Sequence, residues 1–256
     1  MKTTIKSLIS AGVVALGCIG ALQAHASVVI AGTRVIYNAK DTETTIKLTN
    51  EGQSPALTQA WIDKGDAKAA PSSIDVPFTV TPPVSRIDPK KGQTLRIIYT
   101  GEPLPQDRES VFWLNVLEVP PKPTAEEADV NKLQLAFRSR IKLFFRPAGL
   151  KGSADDAPGS ISWRVTHAGG KPALEASNPS KYHVSFARLE LVGGGKTAKF
   201  EEGGMIGPGE TRTFPLTGDV AQGTEARVRY NAINDYGGAV SGEAALGSSA
   251  TQAASR

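Results

Sequence analysis

The sequence predicts an all-β protein built from two domains, and three observations carry that prediction. Helical periodicity is scarce, apolar residues alternate over short runs, and Gly, Pro, Asn and Asp punctuate those runs at short intervals, as in antiparallel sandwiches. The chain has 256 residues, and without a leader it divides into two domains of about 115 residues, each able to bury a core.

The first 26 residues stand apart from that pattern. Lys2 and Lys6 form a positive start, Ile9 to Leu22 is an apolar stretch broken by glycines, and Ala24-His25-Ala26 is an A-x-A cleavage site. This layout predicts a secretory leader, export to the periplasm and a mature chain starting at Ser27. The apolar stretch falls short of the ~20 residues of a comfortable membrane span, so no stable membrane insertion is expected. Cys18 offers lipoprotein processing as an alternative, against which Ala15-Leu16-Gly17 counts. Cleavage after Ala26 removes the single cysteine, leaving no disulfide, thiol nucleophile or cysteine metal site. The formal charge of +4 falls by two on maturation, because the leader holds two lysines and no acid. Such a balance gives no reason to expect a nucleic-acid partner.

From Ser27 onward the expected strands are Val28–Ile30, Arg34–Tyr37, Thr44–Thr49, Ala56–Ile62, Phe78–Thr81, Val84–Ile87, Gln93–Tyr99 and Ser110–Val119. Asn50-Glu51-Gly52, Pro89 to Gly92 and Thr100 to Pro103 supply turns between them. Pro82-Pro83 should bend an edge strand or switch it between sheets, because proline cannot donate to a ladder. Pro120 to Lys132 is polar, starts with prolines and reads as a loop.

Leu133 to Phe145 is the most informative segment. Its odd positions are Leu133, Leu135, Phe137, Ser139, Ile141, Leu143 and Phe145, and its even positions include Arg138, Arg140 and Lys142. One apolar face and one largely basic face over 13 residues describe a strand of about 43 Å at roughly 3.3 Å per residue, twice the usual length.

Pro147 to Ser153 reads as a link, placing the first domain at residues 27–148 and the second at 149–256. The second half is richer in glycine and weaker in pattern. Its expected strands are Ile161–Thr166, Ala173–Ser177, Ser185–Leu191, Thr211–Pro215 and Glu225–Asn231. Asn234 to Gly238 is a hairpin turn whose glycine pair can take positive φ, and a weak last strand over Ala239–Leu246 precedes a disordered tail.

Catalytic constellations are missing from the sequence, so no enzyme is expected. With His25 gone, His167 and His183 remain, both in ordinary polar surroundings, and no metal site or cofactor is expected from two histidines without cysteines. No G-x-S-x-G elbow occurs. Gly193-Gly194-Gly195-Lys196-Thr197 lacks the spacing of a phosphate loop and reads as a hairpin turn.

The run LQLAFRSRIKLFFRP at Leu133–Pro147 resembles the last strand of the first domain in periplasmic pilus chaperones of the chaperone–usher pathway. TRVIY at Thr33–Tyr37, TQAWIDKGD at Thr58–Asp66, FTVTPPVSRIDP at Phe78–Pro89 and LPQDRESVFWLNVLEVPP at Leu104–Pro121 match in order and spacing. NPSKYHV at Asn178–Val184 and INDYGG at Ile233–Gly238 complete the set, which spans nearly all of the mature chain.

The resemblance implies two immunoglobulin-like β-sandwich domains in a boomerang with a cleft between them, of the short-loop class that serves rod-like pili. It implies pilus subunits and adhesin as partners, an outer-membrane usher as the recipient, and self-association of the free chaperone. The family's cleft cations correspond to Arg34 and Lys142, which anchor the C-terminal carboxylate of a subunit. Its subunit-facing residues correspond to Leu133, Leu135 and Phe137 on an edge strand lent to the incomplete subunit. Glu109, Arg146 and Asp235 correspond to an interdomain salt-bridge network. Arg138 and Arg140 would partly guard the free edge against aggregation.

Strict alternation puts Lys142 on the face opposite Leu133, Leu135 and Phe137. To serve one ligand the strand must twist or bulge, or the lysine must reach around an edge. The alternative function is a pilus structural subunit or surface adhesin, which would carry its own donor extension near Ser27 and lack the Arg34/Lys142 pair.

Overall fold

The computed structural model describes residues 27–121, 135–220 and 226–247. The leader, most of the loop before the long strand, Leu133 and the expected tail therefore lie outside the described residues.

The first half forms β1 (Val28–Ile30), β2 (Arg34–Asn38), β3 (Thr44–Asn50), β4 (Ala56–Asp63) and β5 (Phe78–Thr81). It continues with β6 (Val84–Ile87), β7 (Gly92–Tyr99), β8 (Ser110–Val119) and β9 (Phe137–Arg146). They assemble into a four-stranded sheet, β1-β3-β7-β5, and a five-stranded sheet, β2-β9-β8-β4-β6. Pro82-Pro83 stands between β5 and β6 and passes the chain from one sheet to the other, as its missing N–H requires. Alternation fixes which face is buried: Phe112, Leu114 and Val116 of β8 and Leu143 and Phe145 of β9 point into the sandwich. Tyr37, Phe78, Tyr99, Phe112 and Phe145 form an aromatic cluster there, with the Tyr99 and Phe145 rings 4.7 Å apart.

The long strand is shorter than the 13-residue alternation suggests, running from Phe137 to Arg146. Alternation shows that a segment can be a strand, but hydrogen bonds require a neighbour. β8 pairs with β9 from Ser110 opposite Phe145 to Glu118 opposite Phe137 and ends at Val119, so among the described residues Leu135 has no ladder partner and lies outside the strand.

The second half forms β10 (Ser162–Ala168), β11 (Lys171–Ser177), β12 (Val184–Gly193), β13 (Lys196–Phe200) and β14 (Gly204–Ile206). Then come β15 (Thr211–Pro215), β16 (Thr217–Gly218), β17 (Arg227–Ile233) and β18 (Ala239–Ala245). One sheet is β10-β11-β15, and the other is β16-β13-β12-β17-β18 with β14 paired onto β12. Trp163, Phe186, Phe214, Leu189, Leu191 and Val228 centre its core. β13, β14 and β16 are additions to the sequence-based expectation. The Gly193–Thr197 run is the β12–β13 hairpin turn, with Gly194 and Gly195 at φ of +57° and +73°. β18 is the expected weak last strand: none of its residues is buried.

Candidate functional site

β2 and β9 run parallel, and their register sets Arg34 beside Lys142. The same row continues across the sheet to Trp113 on β8 and Asp63 on β4, so all four side chains share the outer face of the five-stranded sheet. The second domain closes over one end of this face. Lys142 Nζ donates to Ser185 Oγ at 3.0 Å, Arg34 Nη1 donates to the Ile233 carbonyl at 2.9 Å, and the Phe144 ring lies 5.5 Å from the His183 ring, tilted by 43°. Gly237 in the β17–β18 turn has φ of +84°, and a Cβ there would clash with Thr33 Oγ1, so glycine is what lets this turn approach β2.

Two cations side by side in a half-buried cleft are electrostatically expensive. Burial, with the charges of Arg34 and Arg212, pushes the Lys142 ammonium down to about 8. Burial lowers Arg34 as well, partly offset by Asp235 and Glu109. Among the described residues, Arg34 Nε is buried without a hydrogen-bond partner. The pair thus holds an unused buried donor and positive charge that the nearby acids offset only in part, a chemistry suited to receiving a carboxylate.

Beside the cations the sheet has an open edge. β2 covers β9 only from Lys142 to Arg146, so among the described residues the backbone from Phe137 to Ile141 has no strand partner on that side. Leu135 and Phe137 stand there 53% and 42% exposed, while Leu133 lies outside the described residues. The β8–β9 register runs from Phe145 to Phe137 without a shift, so no bulge brings Lys142 and Phe137 onto one face. The two features meet instead at the edge: the cations stand at the first residue of β2, where the unpaired stretch of β9 adjoins it.

Arg138 and Arg140 do not guard this edge. Both reach back across the sheet, Arg140 onto Asp63 through Nε at 3.0 Å and Nη2 at 2.6 Å, and Arg138 onto the Ala67 carbonyl at 2.7 Å. Arg140 also lies 4.1 Å over the Trp113 ring. A buried carboxylate explains the direction: Asp63 is 2% exposed, and the Arg140 guanidinium together with Asn115 and Gly65 donors outweighs the burial that would raise its carboxyl, holding it below its ordinary value.

Glu109, Arg146 and Asp235 do come together. Arg146 bridges the domains, donating to Glu109 at 2.8 Å and 3.0 Å and to Asp235 at 2.6 Å and 3.0 Å. Burial opposes the Arg146 charge, but the hydrogen bonds it donates to Asp235 and Glu109, with the charges of both acids, outweigh it and raise the guanidinium above its ordinary value. Glu109 Oε2 also accepts from the His183 amide at 2.9 Å and lies 3.0 Å from Nδ1, which carries the proton because a carboxylate only accepts. His183 is therefore an interface residue, not one in ordinary polar surroundings. Its neighbour two positions on, Ser185, was equally without a sequence signal.

Comparison with known proteins gives matches over both halves of the chain. Residues 27–151 match the family described as "Pili and flagellar-assembly chaperone, PapD N-terminal domain", and residues 156–244 match "Pili assembly chaperone PapD, C-terminal domain". The chain belongs to the pilus-assembly chaperone family. It is 49% identical over 223 residues to the probable fimbrial chaperone YadV of Escherichia coli K12, covering 86% of this chain and 90% of that protein. It is also 49% identical over 227 residues to the chaperone protein FimB/FhaD of Bordetella pertussis, covering 87% and 89%. The crystal structure of the YadV chaperone superposes with a TM-score of 0.74 at 44% identity, covering 86% of this chain and 100% of that one. The SafB chaperone solved with the SafA pilin of Salmonella enterica gives a TM-score of 0.72 at 28% identity, covering 88% and 98%. The two sandwiches are thus the two immunoglobulin-like domains of a fimbrial chaperone, and the family's chaperones are periplasmic.

Proposed function

We propose that this chaperone captures an incomplete pilus subunit by lending it the open edge of β9 while Arg34 and Lys142 hold the subunit's terminal carboxylate. The observation that carries this is the coincidence of the cation pair with the start of the unpaired edge, at the Arg34–Lys142 register position. A strand added there continues the line of β2, its backbone bonding Phe137 to Ile141, and Leu135 and Phe137 enter the subunit's open groove with Leu133 as the next alternate residue. Each charge-assisted bond to the carboxylate contributes about 1.5–3 kcal/mol. Glu109, Arg146 and Asp235, with His183, fix the angle at which the second domain closes the cleft. The relatives are named chaperones, so the structural-subunit alternative is not favoured.

A leader ending at Ala26 would deliver the chain to the periplasm, and division at Ala148/Gly149 separates the two folding units. Capture needs no cofactor or reaction, in keeping with a non-enzymatic family. Delivery to an outer-membrane usher needs a surface left free when the edge is occupied; Leu57, Val84 and Val119, exposed together at the far end of the outer face, offer one. Co-expression of a cognate subunit with wild type, Arg34→Ala and Lys142→Ala tests the anchor. A stable 1:1 complex with wild type only is expected, and equal yields from all three would refute it.

A further inference from the structure

Glu118 is a buried carboxylate that subunit capture leaves unused. It is 9% exposed, on the core-facing row of β8, directly opposite Phe137 on the edge strand. Both oxygens are held by the beginning of the first strand: Oε1 accepts from the Ser27 hydroxyl and Oε2 from the Val28 amide at 3.0 Å. Among the described residues no lysine or arginine forms an ion pair with it. A carboxylate taken out of water and held only by neutral donors is an incomplete site.

We propose that Glu118 is the receptor for the α-ammonium group created at Ser27 when the leader is removed; this rests on the reading that cleavage follows Ala26. A signal peptidase adds water across the Ala26–Ser27 peptide bond, the new carboxylate leaves on Ala26, and the new amine at Ser27 takes up a proton. Before cleavage the Ser27 nitrogen is an uncharged amide. Afterwards it is an amine with an ordinary pKa of about 7.7–8.0, mostly protonated at neutral pH.

Ser27 is already held for this role. Its carbonyl accepts from the Glu51 amide at 2.6 Å, Val28 pairs with Asn50, and a Cβ on Gly52 would meet the Ser27 Cβ at 2.6 Å. Its nitrogen is three bonds from the hydroxyl oxygen that touches Glu118. The other charged groups nearby, Glu51 and Lys90, pair with each other at the surface at 3.6 Å. Because Glu118 flanks Phe137, an unneutralised carboxylate would oppose the entry of apolar subunit side chains beside the donated strand. Leader removal thus completes the capture edge as well as releasing the protein.

The test titrates the α-amino group by competitive acetylation, read by mass spectrometry of the N-terminal peptide, in a chain made to begin at Ser27. Its apparent pKa should lie about one unit above the ordinary range, with about fivefold slower acetylation at pH 8, and should return to that range in Glu118→Gln. A chain with one alanine added before Ser27, which keeps Glu118 but displaces the ammonium, should also titrate normally. An ordinary pKa in the unmodified Ser27-first chain, or a raised one unaffected by both changes, would overturn the pairing. The first residue of the exported protein is read separately by its mass. A start other than Ser27 would refute the leader reading, while the titration of the Ser27-first chain still judges Glu118.

Discussion

Burial and two neighbouring guanidinium groups weaken the hold of Lys142 on its proton, which a bound carboxylate, on the proposed reading, would restore. Its ammonium sits near 8 in the free protein, and a bound carboxylate stabilises the protonated form, so the pKa is higher in the complex. By linkage, subunit affinity is fully present below about pH 7 and falls as pH rises through 8, by up to tenfold per unit until the bound pKa is reached. Calorimetric titration from pH 6.5 to 9.5 checks this; in Lys142→Arg the decline should vanish, because guanidinium stays charged. Arg34 and Lys142 were legible only through their resemblance to a family motif, since alone each looks like a surface cation. His183, Ser185 and Asp63 were not legible, because what defines them is a partner 74, 43 or 77 residues away in the chain. Local pattern carries no information about such separations.

At the scale of elements, the open half of β9 combines exposure with order. Leu135 is solvent-exposed and lies outside the strand, so Leu135→Glu should change stability by no more than about 0.5 kcal/mol while abolishing subunit capture. Thermal unfolding and co-purification measure the two halves of that expectation, and a variant that captures normally would contradict strand donation. The paired side of β9 is braced by Asp63 and Arg140, which span three strands. Asp63→Ala leaves a partly buried guanidinium unpaired and should cost about 3–5 kcal/mol in denaturant unfolding. The sequence located β9 through its alternation but overran its start, because a strand ends where its neighbour ends. The strands β13, β14 and β16 were missed for a related reason: at two to five residues they are too short to show a period.

Across the whole molecule, Arg146 ties the two sandwiches through acids from both. Arg146→Ala strands the Glu109 carboxylate, which is almost wholly buried, and should destabilise the protein by about 3–5 kcal/mol. Small-angle scattering should then show a wider spread of domain angles, whereas an unchanged profile would mean that the Thr33–Gly237 and Arg34–Ile233 contacts suffice. The two-domain, all-β plan was legible from punctuation and alternation; the cleft was not, because it is made by residues from both sandwiches. The central claim is that the cations at the start of the open edge recognise a chain terminus. Its most direct measurement is calorimetric binding of a subunit's C-terminal strand, as a free acid and as a terminal amide, to wild type and to the Arg34→Ala/Lys142→Ala double variant. Amidation should weaken wild-type binding at least tenfold, a loss of about 1.4 kcal/mol, and leave binding to the double variant unchanged. Equal effects of amidation on both proteins would contradict the account.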